Sequence, residues 1–549
     1  MAESTRGVVR HLGGEAGHRS FFGGTHSPGR VAALGFCLIA GLVTTPLFGW
    51  PAILAAGVAV GVVLLVTART HRGSMLERHT RRARWRARRR IGADRYVPFD
   101  VAEWDQLEAA ATARGVKRRG RAAAAREMSV MRAMPDGADG MGWLQYGPAE
   151  PGIAWHQPVG EAGYLSVAFS VSGQLRGVES GGTLARAAAG WGSFLAARAG
   201  AGSLVGSVQT VTRVLPPDTA RQQRWAMLSL DPASSVAEQR SYDEVIRRAG
   251  ADAMVQRHYV VLSWPLTRAF TDTALKYGAG RDGWRALMAA EIDSTIRGLE
   301  DARMGTVAAI TARQAAAMML HQQNPHRPLD AARTADPLGF GLPSTDEFSA
   351  HVVTATDPAT GVGVEWWHRT AAIRADAMAV AARTQLWALD LLIGRELAFV
   401  RTVSFHIGLI PASEAKAAAR RDVVRDLADQ VADNKAGRLA SDDGRVAVTA
   451  AQRRRTDLAA GSHHHGVEWV GYVTISAESR DGLAAASRQL TEVCATGLGI
   501  ERLDWQDSYQ SAASGSTWPI ARGLKPAANT LGTRLYAGLA GRSDKDALT

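Results

Sequence analysis

A chain of 549 residues exceeds one ordinary core, and with 46% hydrophobic and 21% charged residues it is too apolar for disorder. The net charge is +12, yet ten arginines against Glu77 between Arg69 and Arg90 carry +9 of it, leaving +3 elsewhere. Charge concentrated in this way argues against a body that grips nucleic acid over a whole folded face.

Residues 1–30 form a tail with Arg6, Arg10, Arg19 and Arg30, and a long apolar run follows. Val31–Phe48 and Ala52–Ala68 lack charges and are separated by Gly49-Trp50-Pro51. Pro starts helices well, and Trp favours headgroup layers. The pattern predicts a two-helix transmembrane hairpin over 31–68. With positive flanks on both sides, the expected setting is multi-pass in the inner membrane with both termini cytoplasmic. Trp50, Arg81, Arg82, Arg84, Trp85, Arg86, Arg88, Arg89 and Arg90 are then the candidate membrane-interface residues. Cys37 lies in the apolar run and Cys494 in a distant helical pattern, so both read as reduced and structural.

Residues 69–140 read as an Arg-rich connector, helical from Val101 to Met134 and ended by Pro135-Asp136-Gly137. In 141–350, Leu165, Val167, Phe169 and Val171 alternate with Ser166, Ala168, Ser170 and Ser172, which predicts a strand with one buried face. A helical stripe, Leu184, Ala188, Trp191 and Leu195, precedes a second alternation through Val208, Thr210, Thr212 and Val214. His258–Trp264 reads as another strand, Leu287–Leu299 as a helix, and Thr311 as the cap of a helix running to His321.

The 351–525 stretch repeats this scheme. Val403, Phe405, Ile407 and Leu409 alternate with polar residues, and Ser413 suits the start of a long Ala/Arg/Asp helix. After the loop containing His463-His464-His465, Val467–Ser476 alternates again, followed by a helix from Asp481 to Thr496 and a short strand from Ile500 to Trp505. Residues 526–549 read as a tail. The fold class expected is α+β: the hairpin, then two cytoplasmic modules of split βαβ (ferredoxin-like) character, the first with a helical insertion.

Motifs for catalysis do not accumulate. The sequence has no Gly-Lys dipeptide, so no P-loop, and no G-x-S-x-G, H-E-x-x-H or C-x-x-C. The three histidines 463–465 read as a solvated loop, since consecutive side chains converge poorly on one ion. Glu365-Trp366-Trp367-His368 reads as aromatic packing with His368 at an exposed edge. The expectation is a non-enzyme with no catalytic, cofactor-binding or metal residues.

The chain resembles an actinobacterial family of conjugation-associated membrane proteins, in which a PrgI-like hairpin is joined to the N-terminal, non-ATPase region of the type IV secretion ATPase. The segments carrying the likeness are the hairpin with its arginine-rich exit, Gly142–Pro158, Gly163–Gly177, Ala189–Gly200 and Trp518–Leu524. The resemblance implies an inner-membrane scaffold of a type IV secretion or conjugative-transfer apparatus. Its partners would be the lipid bilayer, a separate ATPase docked at the cytoplasmic face, and other membrane subunits. Self-association stays open, and direct nucleic-acid binding is not expected. The alternatives are a type VII secretion core component, or a membrane-tethered DNA-binding protein using Arg81–Arg90 and Arg118–Arg121.

Overall fold

The computed structural model describes residues 10–12, 28–420 apart from short stretches, and 465–523. The Ala/Arg/Asp helix expected beyond residue 420, His463, His464 and the tail from 526 lie outside the described residues.

Helices α1 (Pro28–Phe48) and α2 (Trp50–Thr67) pack as a hairpin about Gly49, whose φ of +64 suits a residue without a Cβ. Among the described residues, however, no helix is long and apolar enough to cross a membrane. This corrects both the transmembrane hairpin and the multi-pass inner-membrane placement. The apolar part of α1 stops at Val43, because Thr44, Thr45 and the internal Pro46 follow, with both hydroxyls turned onto Ala40 and Gly41 carbonyls. Val31–Val43 and Ala52–Val66 are 13 and 15 residues. At 1.5 Å per residue they reach roughly 20 and 22 Å, against a hydrocarbon thickness of about 30 Å.

The body is α+β, built on one sheet of 14 strands. Its strands are β1 (Arg95–Pro98), β2 (Met131–Arg132), β3 (Met141–Gln145), β4 (Ile153–His156), β5 (Tyr164–Val171), β6 (Ser207–Leu215) and β7 (Val255–Pro265). The chain continues with β8 (Val307–Ala309), β9 (Ser344–Glu347), β10 (Ala350–Thr356), β11 (Gly363–Ile373), β12 (Val400–Ile410), β13 (Gly466–Ala477) and β14 (Asp504–Trp505). The connector read over 69–140 thus supplies two sheet strands, β1 and β2, with helices α4 (Val101–Thr112) and α5 (Arg118–Val130) between them.

The strand pairing contains an internal duplication. In the first half the spatial order is β8-β5-β7-β6, and in the second it is β14-β11-β13-β12; every pair is antiparallel. Counting from the first strand of each unit, both read 4-1-3-2, the arrangement of a split βαβ unit. Each unit is preceded by a hairpin, β3–β4 or β9–β10, whose second strand pairs with the unit's first. The two units then meet edge to edge, β6 against β12, with Ser404 opposite Val211 near the middle of the joint.

One face of this sheet is apolar. Leu165, Val167, Phe169, Val208, Leu262 and Trp264 pack under α6 (Gly181–Arg198), α8 and α9. Between them, α7 spans Val236–Gly250, α8 Arg268–Ala274 and α9 Gly280–Asp301. Ile373, Val403, Val473 and Ile475 pack under α11 (Arg480–Thr496), where free Cys494 is fully buried. The opposite face carries α10 (Ala312–Gln323), which opens with a Thr311/Gln314 capping box, and the short α12 (Gln510–Gly515). The strand read over Leu165–Val171 therefore has two buried faces, since Ser166 and Ala168 are covered as well.

Where α12 crosses the 135–140 turn, two glycines touch: a Cβ built on Gly515 would lie 2.8 Å from the Gly137 Cα. Neither partner is a movable side chain. Gly515→Ala is expected to lower stability by about 1–3 kcal/mol, read as a lower urea midpoint with an unchanged m-value.

Candidate functional site

The polar second face of the sheet is where chemistry-bearing side chains gather. Two-residue alternation sends Gln209 and Arg213 of β6, Thr402, Ser404 and His406 of β12, and Thr474 and Ser476 of β13 to the same side. All are buried. Across them runs a strap of chain, Ser514–Gly523, which leaves α12 and is held mainly by its backbone. Gln209 Nε2 donates to the Trp518 and Ser516 carbonyls at 2.9 and 3.2 Å, and its Oε1 accepts from the Ala521 N–H at 2.8 Å. Gln322 donates to the Thr517 carbonyl, Tyr164 to that of Ile520 and Tyr472 to that of Gly523. Thr474 and Thr517 hydroxyls meet at 2.9 Å. The side chains of Trp518 and Ile520 fill an apolar cluster with Ala316, Leu320 and Phe340.

Five histidines are buried here or beside it: His156, His321, His351, His368 and His406. His368, expected at an exposed edge, is 2% exposed. The reason is that β11 is interior to the sheet, flanked by β10 and β13, and α10 closes over it. Its Nδ1 meets Ser476 Oγ at 2.8 Å and its Nε2 the Gln323 carbonyl at 3.0 Å. His156 pairs with Ser166 at 2.8 Å, His351 with Ser514 at 3.2 Å, and His406 donates to the Ser516 carbonyl at 2.7 Å. Burial keeps them neutral. It pushes His156 and His351 down to about 3 and His368 and His406 down to about 4, while His321 lies well below its usual value. A cavity with room for about one water molecule lies between His351, His368, Gln322 and Thr474. His351 Nε2 has no protein partner. These Ser–His pairs have the reach of catalytic dyads, but the strap and α10 bury them, and each hydroxyl or carbonyl bonded is part of the fold's own wiring.

A second assembly is ionic. Apart from Trp50, the candidate interface residues lie on α3 (Met75–Arg90), which presents Arg81, Trp85 and Arg88 inward at i, i+4 and i+7. Arg88 donates to Asp346 at 2.8 Å, to Asp136 at 3.0 Å and to the Ser508 and Ala93 carbonyls, with its guanidinium 4.0 Å over the Tyr509 ring. Asp346 also accepts from the Ser511 N–H at 2.8 Å and hydroxyl at 2.7 Å. Burial raises Asp346 to about 6 against the pull of Arg88. Arg81 bonds Asp504 at 2.8 Å and the Trp505 carbonyl, and Trp85 Nε1 donates to the Asp346 carbonyl. Arg81, Trp85 and Arg88 are thus tied to the protein's own sheet. Arg82, Arg84, Arg86, Arg89 and Arg90 are exposed, and Trp50 is 71% exposed at the start of α2.

A residue that sequence reasoning missed is Arg401. It is buried on β12, and its guanidinium reaches the carbonyls of Leu391, Leu392, Leu397 and Phe399, satisfying the end of the turn Asp390–Ile393. Its only sequence signal is an Arg opening a strand. His465 is half-buried with Nδ1 unpaired. Among the described residues, no three His, Cys, Asp or Glu side chains are grouped to hold a metal ion. Neither the family models nor the curated proteins contain a match to this chain.

Two outcomes follow from these groups. Each buried histidine has a folded pKa below 6.5, so the unfolded chain binds more protons beneath that pH. The stability they hold is complete above pH 6.5 and lost as pH falls toward 3–4. Asp346 acts oppositely, favouring folding below 3.8 and losing that contribution as pH rises through about 6. Five groups outweigh one, so the calorimetric Tm should drop steadily from pH 7 to pH 5. Separately, Arg88→Ala leaves buried Asp346 uncompensated and should cost about 3–5 kcal/mol at pH 8. The loss should shrink at pH 5, where Asp346 takes a proton, and chemical denaturation at the two pH values reads the difference.

Proposed function

We propose that this protein is a non-catalytic structural subunit of a type IV secretion or conjugative-transfer apparatus, which docks a separate ATPase. The observation that carries the reading is the strap. Most of the titratable and hydrogen-bonding groups that gather on the polar face of the sheet are engaged with the chain's own backbone and side chains, so the site works as a clamp and not as a reaction centre. The segments behind the family resemblance fit that role. Gly142–Pro158 covers nearly all of the β3–β4 hairpin, Gly163–Gly177 contains β5, Ala189–Gly200 contains the second half of α6, and Trp518–Leu524 begins inside the strap. All belong to one assembly, a doubled unit whose long sheet offers a stiff platform to a partner.

A platform of this kind should need its partner for turnover. Purified full-length protein is expected to hydrolyse no ATP, and an affinity-tagged copy expressed in its native cell is expected to retain a conjugation ATPase. Turnover by the pure chain, or a tagged copy that never retains such an ATPase, would overturn the reading.

A further inference from the structure

The arginine block is explained only in part by the fold. Arg81 and Arg88 are ties to the sheet, but Arg82, Arg84, Arg86, Arg89 and Arg90 face outward, and none of them has a carboxylate partner among the described residues. Three of these, Arg82, Arg86 and Arg90, fall at i, i+4 and i+8. That spacing lines them up on one side of α3 at steps of roughly 6 Å. Inward-facing Arg81, Trp85 and Arg88 lock the opposite side, so the row is held on a rigid rod and its order is set before any ligand arrives. Arg89 is set over the Trp85 ring at 5.2 Å.

From this we infer that the outer face of α3 binds the sugar–phosphate backbone of a nucleic acid. A guanidinium fork matches a phosphate bidentately, and a row of forks at regular spacing matches a polymer of phosphates better than the irregular carboxylates of a protein surface. The contact reads backbone charge and not base sequence. It is placed on α3, within the block that carries +9 of the +12 net charge. The inference stands independently of the scaffold reading.

The test is salt-dependent binding of the full-length protein to labelled duplex and single-stranded oligonucleotides by fluorescence anisotropy. Arg82→Gln/Arg86→Gln/Arg90→Gln should flatten the slope of log affinity against log salt by about 2 to 3 and weaken binding at least about tenfold at 0.1 M salt. Arg82→Lys/Arg86→Lys/Arg90→Lys keeps the charges and should retain most of the slope. Because these side chains are exposed, both variants should match the parent's circular dichroism and Tm. The inference fails if the parent binds neither oligonucleotide, if the Gln variant keeps the parental slope, if the Lys variant loses as much as the Gln variant, or if the parent binds phosphatidylserine vesicles but not DNA.

Discussion

The antiparallel pairing of β6 with β12 is the constraint from which the rest of the body follows. It joins two units of the same strand order into one sheet and brings Gln209 and Arg213 beside Thr402, Ser404 and His406. A buried strip of amides, hydroxyls and imidazoles is tolerable only when each polar atom has a partner, because an orphaned one forfeits its hydration for nothing. The strap supplies many of those partners from its backbone, to Gln209, Gln322, His406, Tyr164 and Tyr472, while Arg213 Nε, His321 Nδ1 and His351 Nε2 have none among the described residues. Gln209 illustrates the demand: one side chain donates to two carbonyls and accepts from Ala521, whose φ of +54 shows how closely the strap is bent to fit.

The ionic node around Arg88 extends this wiring to the N-terminal part of the chain. One guanidinium spans Asp346 at the β9 edge, Asp136 in the turn before β3, and the carbonyl of Ser508 ahead of α12. Three segments distant in sequence are thereby fixed around the last two turns of α3. Charge buried this deeply gains little net stability over an apolar filling, but it permits only one register of the three segments. The chain between α2 and α3 includes the paired strands Arg69–Thr70 and Gly73–Ser74, so the node that ties α3 to the sheet also lies close in sequence to the root of the α1–α2 hairpin.

Much of the secondary structure was legible in the order of residues. Alternation marked β5, β6, β12 and β13, and Thr311 marked the start of α10 through an ordinary capping preference. Hydropathy alone misjudged the hairpin, because an uninterrupted absence of charge is not an uninterrupted apolar helix once Thr44, Thr45 and Pro46 intervene. The polar positions of the strands were misjudged in a similar way. Ser166, Ser404 and His406 look like a solvent face, and nothing local to β5 or β12 indicates that a strap from beyond residue 513 will cover them.

By itself the sequence determined the α+β class, the repeated strand–helix order of the two halves and the clustering of arginine after the apolar run, because these depend on periodicity and composition within short windows. Only the tertiary structure decided which arginines are ties and which face out, that five histidines are buried and neutral, and that the two halves share one sheet. The physical reason is the same in each case. Burial, partner choice and pKa are set by segments hundreds of residues apart, as when Arg88 meets Ser508 or Tyr164 meets Ile520.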